Sequence, residues 1–147
     1  MSSHCLKIAW DFIEAKGHRN IKATHRSTVE ITKDNYVTER GDCIIACSAS
    51  KALSDLNSEL KSIIKRDDAL VIIVIKVGDV TDYIIGKGSS KLTLSSDRKI
   101  IIRRSSYIDD ATLTIRANKA AKDINRELID KLVRGEEIKV WILGMYV

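Results

Sequence analysis

Ala49–Leu60 reads ASKALSDLNSEL, and Ala117–Leu128 reads ANKAAKDINREL. The offset is 68, and seven of the twelve positions are identical. Leu53, Leu56, Leu60, Ile63 and Ile64 recur at helical spacing after the first, as do Ala121, Ile124, Leu128, Leu132 and Val133 in the second, so each stretch predicts an amphipathic helix. Ser50 and Asn118 align and are the expected N-caps, and Gly135 is a natural stop. Carried on without a gap, the register sets Leu70, Ile72 and Val74 opposite Ile138, Val140 and Ile142.

The match resumes upstream at offset 71, with DFIEAKG (Asp11–Gly17) against DYIIGKG (Asp82–Gly88), and the difference is absorbed around Gly41. Three collinear matches point to internal duplication, with halves 6–77 and 78–147 of a single domain spanning 1–147. Each half predicts a strand (Leu6–Ala15, Val80–Ile85), a second (Ser27–Lys33, Lys99–Arg104) and a third (Cys43–Ser48, Thr112–Arg116). The helix and a last strand follow, Leu70–Val77 or Ile138–Tyr146. Leu70–Val77 is apolar almost throughout and predicts a strand buried on both faces. Trp10 and Trp141 lie in apolar strands and are expected in the core. Two β-β-β-α-β units with no βαβα alternation predict a mainly β (α+β) fold, a two-sheet sandwich or jelly-roll-like domain with two helices and a pseudo-twofold axis.

The 147 residues are 31% charged and 44% hydrophobic, with no proline, which excludes disordered and collagen-like chains. A net charge of +5 suits an anionic small molecule or a nucleic acid as partner, though the basic residues are spread along the chain. Cys5, Cys43 and Cys47 form no C-x-x-C pair and read as buried free thiols in a reducing cytoplasm, with no metal expected on them. The longest apolar run, Ala69–Ile75, is far short of the roughly 20 residues a bilayer requires, so no membrane is expected. Homo-oligomerisation is open, and no cofactor is indicated.

Gly17–Asp34 (GHRNIKATHRSTVEITKD), Gly41–Ile44 (GDCI), Leu92–Leu94 after Gly88, and Ala117–Ile124 (ANKAAKDI) resemble a mainly archaeal family catalogued as domain of unknown function 371. The resemblance covers nearly the whole chain and implies a mainly β, sandwich or jelly-roll-like cytosolic protein. It carries no activity, cofactor or catalytic residue. This chain has Gly88-Ser89-Ser90 where the family pattern has Gly-His-Pro, which weakens any scheme that draws a histidine from each half.

Three constellations could carry chemistry. His18, Asn20, Thr24, His25, Thr28, Glu30, Thr32, Lys33 and Asp34 crowd one stretch, and two imidazoles beside two carboxylates suit acid–base work or a metal; turn-forming hydrogen bonds are the plainer reading. The remaining histidine, His4, stands near the terminus. Lys51 and Lys119 fall in the predicted first helical turns, where a cation opposes the helix dipole; they mark either an anion site or pairs with Asp55 and Asp123. Asp42 and Asp110, with Lys33, Arg103 and Arg104, form a third polar set, read most simply as strand-entry caps and surface ion pairs. No phosphate loop, nucleophile elbow, zinc-protease or dinucleotide motif is present.

The leading expectation is therefore a small protein binding a phosphate-bearing or other anionic ligand, a nucleotide or RNA included, through His18, Asn20, Thr24, His25, Lys33, Asp34, Lys51, Arg104 and Lys119. The alternative is a metal-assisted hydrolase using His18, His25, Glu30 and Asp42. A third reading is an assembly partner without a small ligand, marked by an exposed apolar patch.

Overall fold

A computed structural model describes residues 5–147. The first half runs β1 (Lys7–Lys16), β2 (Thr28–Thr32), β3 (Ile44–Ala46), a 3-10 turn at Leu53–Asp55, α1 (Ser58–Ile64) and β4 (Leu70–Val77). The second repeats that order with β5 (Val80–Lys87), β6 (Lys99–Arg103), β7 (Thr112–Thr114), a 3-10 turn at Ala121–Asp123, α2 (Arg126–Val133) and β8 (Glu137–Tyr146). One four-stranded sheet has the order β1-β8-β4-β5 and the other β3-β2-β6-β7. The chain is mainly β, with two sheets and two helices, as the spacing predicts.

Each sheet draws two strands from each half. The halves meet through antiparallel pairs at the sheet centres, β4 with β8 and β2 with β6. Neither half could complete a sheet alone. Helix α1 packs on β1 and β8, and α2 packs on β4 and β5. Ile13, Ile73, Ile84, Val140 and Ile142 turn inward against Leu60, Ile64, Leu128 and Leu132 of the helices and Val29, Ile31, Ile100 and Ile102 of the second sheet, all of them buried. Gly17 and Gly88 each end a strand against the other half's helix: an added Cβ would stand 2.0 Å from the Leu132 carbonyl oxygen in one case and 2.4 Å from that of Ile64 in the other. Only glycine admits that approach.

The helices start later than their repeats predict. Asp55 and Asp123 accept the backbone N–H groups of Ala52 and Ala120 and close short 3-10 turns, which end in extended residues at Leu56 and Ile124. Asn57 and Asn125 are the true N-caps, accepting N–H groups of Leu60 and of Glu127 and Leu128. Ser50 and Asn118 instead accept the N–H groups of Glu14 and Ile85, fastening this segment to the edges of β1 and β5. Gly135 does follow α2, with φ +86°.

The register of the last strands also differs from expectation by one residue. β4 buries Val71, Ile73, Ile75 and Val77, whereas β8 buries Ile138, Val140 and Ile142. Lys65–Ala69 link α1 to β4, but only Arg134–Glu136 link α2 to β8, so an ungapped alignment slips there. A one-residue slip exchanges the faces of a strand. Leu70, Ile72 and Val74 therefore point out of the sandwich, and β4 is buried on one face rather than two.

Candidate functional site

The Gly17–Thr28 segment is held by hydrogen bonds that use up much of its polar inventory. The backbone N–H of Asn20 donates to His18 Nδ1 at 3.0 Å, and the Asn20 amide donates to the Val37 carbonyl at 2.8 Å. Thr24 and His25 both donate backbone N–H to the Asp42 carbonyl, so it is the Asp42 backbone that ties this loop. His25 Nδ1 accepts the N–H groups of Ser27 and Thr28, each at 3.1 Å. In the second half Ser89 Oγ accepts from Lys91, Ser96 Oγ accepts from Arg98 and Lys99, and Ser95 and Ser96 donate to the Asp110 carbonyl. A serine hydroxyl there does what an imidazole nitrogen does in the first half. His4 lies outside the described residues.

Every cation named for an anionic ligand has a carboxylate partner. Lys51 Nζ lies 2.5 Å from Asp11 and Lys119 Nζ 2.6 Å from Asp82, while the second carboxylate oxygens accept the N–H groups of Asn57 and Asn125. Both lysines precede the 3-10 turns instead of sitting in a helical turn, and neither pairs with Asp55 or Asp123. Those two aspartates take Lys33 at 2.7 Å and Arg104 at 3.5 Å, and Asp34 takes Arg98 at 2.8 Å. Burial alone would raise the Asp11 and Asp82 carboxyls, but the lysine ammonium and the backbone N–H donors outweigh it and hold both below the usual carboxylate range.

Glu30 faces Ile101 across the β2–β6 pair and is 9% exposed. Cys43 Sγ stands 3.9 Å from its Oε1, and among the described residues no lysine or arginine forms an ion pair with Glu30. Of the three thiols expected to be buried only Cys47 is, Cys43 being partly exposed and Cys5 exposed. Burial pushes the Glu30 carboxyl up, opposed by Lys99 and reinforced by Asp34. Burial and then Glu30 push the half-buried Cys43 thiol up as well, so the pair disfavours a thiolate nucleophile. Arg103 turns to Asp109 and Thr112. Among the described residues no three His, Cys, Asp or Glu side chains converge as metal ligands. The named lysines and Arg104 thus sit in ion pairs, and the two imidazole Nδ1 atoms in turn caps.

The surface that residue chemistry overlooked is the outward side of the β1-β8-β4-β5 sheet. Its side chains stand in cross-strand rows. The first row is Ile8, Met145, Leu70 and Lys87; the second Trp10, Leu143, Ile72 and Ile85; the third Phe12, Trp141, Val74 and Tyr83. The fourth is Glu14, Lys139, Lys76 and Thr81, followed by Lys16 beside Glu137. Three rows are apolar save for Lys87 at one corner, and the remainder is polar and charged. Trp10, expected in the core, is 59% exposed, with Ile8 at 46% and Tyr83 at 51%. Trp10, Val74, Trp141 and Leu143 line a shallow depression of about 380 Å³. Sequence carried a signal for this face: β1 and β4 have apolar residues at both parities, so one apolar set must point away from the core whenever only one face is covered.

A half-turn about the axis between β8 and β4 lays the third row on itself and the second row on the fourth. Trp10 takes the place of Thr81, Leu143 of Lys76, Ile72 of Lys139 and Ile85 of Glu14. The same backbone positions hold polar residues at one end and apolar ones at the other.

Among the described residues no helix is long and apolar enough to cross a membrane. An uncharacterised protein of Methanocaldococcus jannaschii is 46% identical over 126 residues, which cover 86% of this chain and 93% of that one. The family model described as a domain of unknown function matches residues 13–145, from β1 to β8 and across both sheets. The chain belongs to the family catalogued as domain of unknown function 371.

Proposed function

We propose that this chain is a binding protein whose working surface is the apolar end of its open sheet face, acting in a cytoplasmic setting, with internal duplication as the origin of its two alike halves. The observation that carries the reading is the contrast between the second and fourth rows. Thr81, Lys76, Lys139 and Glu14 occupy the fold positions equivalent to Trp10, Leu143, Ile72 and Ile85, so folding places no demand for apolar side chains there. A contiguous apolar patch that the fold does not require marks an interaction site. The anionic-ligand reading retains the net charge of +5 in its favour, but its chosen lysines and arginine already hold carboxylates. The hydrolase reading must use imidazoles whose Nδ1 atoms already serve as turn caps.

The test is a swap that writes the charged row onto the apolar one: Trp10→Thr, Leu143→Lys, Ile72→Lys and Ile85→Glu together. Denaturant unfolding in dilute solution is expected to show a loss of no more than about 2 kcal/mol, the scale of several surface strand substitutions. The swapped protein should also lose uptake of an apolar fluorescent dye at sub-micromolar concentration. A collapse of stability by more than about 4 kcal/mol would show the patch to be part of the core and would end the proposal.

A further inference from the structure

We infer that the occupant of this patch is the surface of an anionic phospholipid bilayer, on which the open sheet face lies. The inference rests on the docking reading above and adds the chemistry of the partner.

Two features of the face go unexplained by folding, and one occupant accounts for both. The first is the apolar end. Ile8, Trp10, Leu70 and Tyr83 are half of the eight exposed large apolar side chains among the described residues, and Leu6 and Val147 flank β1 and β8 at the same end. The second is a like-charge pair. Lys76 and Lys139 are cross-strand partners at the centre of the fourth row, and among the described residues neither stands in an ion pair. Like charges directly opposite one another destabilise a sheet. The half-turn between β8 and β4 puts Leu143 and Ile72 at the equivalent places, so the fold does not require the two lysines.

With Lys87 at the far corner, three lysines and one acid, Glu14, border the apolar rows; behind them Lys16 and Glu137 cancel. An anionic bilayer offers apolar depth to the one end and phosphate oxygens to the other. Tryptophan and tyrosine rings and snorkelling lysines are the side chains that settle at that boundary.

A folded protein fits less well. Lys16 exchanges backbone hydrogen bonds with Cys47, and the Asn57 side chain takes the Trp10 carbonyl. On the other edge Lys87 bonds with Ile115, and Asn118 both donates to the Ile85 carbonyl and accepts its N–H. Strand addition is therefore blocked along most of both edges. The three apolar rows frame under about 400 Å², about half of what each partner gives a standard protein pair. A bilayer sets no such minimum. No apolar run is long enough to cross one, but lying on its surface needs none.

Trp10 and Trp141 are the chain's two tryptophans, and both stand on this face, so intrinsic fluorescence reports its contacts. At low ionic strength, vesicles of phosphatidylcholine with about a third phosphatidylglycerol should shift the emission to the blue, and brominated acyl chains should quench it. Vesicles of phosphatidylcholine alone should bind at least about tenfold more weakly. Lys76→Gln and Lys139→Gln should each weaken partition about fivefold, the share of one lysine near an anionic surface. Lys122→Gln, beside the second sheet, removes the same charge and should change partition less than about twofold. Trp10→Thr should weaken it at least about tenfold; the lysine variants, at exposed positions, keep the test open if that one fails to fold.

Vesicles left unbound at low salt, equal binding to neutral and anionic vesicles, or equal losses at Lys76 and Lys122 overturn the inference. So does a polyglutamate peptide that shifts the emission where vesicles do not, which would make the occupant an acidic protein. If the four-residue swap keeps its stability in any of these cases, only the bilayer falls; if the swap unfolds the protein, the docking reading falls with it.

Discussion

The row Trp10–Leu143–Ile72–Ile85 and the row Glu14–Lys139–Lys76–Thr81 stand on the same four strands, on the same side of the sheet, at places that a half-turn exchanges. Beneath them the two halves agree closely. Asp11 with Lys51 and Asn57 is matched by Asp82 with Lys119 and Asn125. Left-handed backbone at Ala23 (φ 51°) and Ser48 (φ 52°) is matched at Leu94 (φ 50°) and Arg116 (φ 52°). Buried geometry tolerates little variation because every group must be packed or hydrogen-bonded, whereas an exposed position is free to take up whatever its partner requires. Where equivalent exposed positions differ in kind, as Trp10 and Thr81 do, the proposed docking role accounts for the difference.

The comparison can be broken first at Asp11, which is buried, and Asp82, which is partly exposed. Asp11→Asn and Asp82→Asn each remove a charge-assisted bond to lysine, and each should cost about 2 kcal/mol in urea unfolding. Clearly unequal losses would show that the two clamps are not equivalent. Both carboxyls titrate below their ordinary value of 3.8 in the folded chain, so their stabilisation is present above about that pH and is lost as pH falls through the folded value. The double variant should therefore show a flatter acid limb in a stability–pH profile.

A second comparison concerns packing of unlike size. Gly86 and Thr114 meet where the first half has Ala15 and Ala46; a Cβ on Gly86 would stand 2.3 Å from Thr114 Oγ1. Gly86→Ala should cost about 2 kcal/mol by overpacking, and adding Thr114→Ala should recover about half, the remainder reflecting the lost bond from Thr114 to the Lys87 carbonyl. Additive losses in the thermal unfolding of the two single variants and the double would refute this pairing.

The smallest effect is expected at the histidines. His18→Ser and His25→Ser install the hydroxyls that already cap the matching turns at Ser89 and Ser96, and each should change stability by less than about 0.5 kcal/mol. If either variant melted several degrees lower, the imidazole would have a role that the serine turns do not reveal.

Much of the architecture was legible beforehand because it is written in spacing. The repeat placed every strand and both helices in order, and Leu70–Val77 matches its observed bounds. What failed did so for identifiable reasons. Helix periodicity through Leu53 and Leu56 does not reveal that Asp55 closes a separate 3-10 turn, since both conformations put apolar residues inward at similar intervals. The slip between β4 and β8 sits in links of unequal length, where identity between the halves is lost. Residue type does not disclose partners: Lys51 meets Asp11, forty residues away, in place of its sequence neighbour Asp55.

Periodicity and repetition in this chain are enough to dictate strand order, helix count and a mainly β fold, because local propensity and apolar alternation act over a few residues and need no knowledge of the rest. Which of two apolar strand faces meets the core is a different question. Ile72 and Ile73 are chemically the same, and only the arrival of α1, α2 and the second sheet on one side buries Ile73 and leaves Ile72 with Trp10 and Leu143 facing outward.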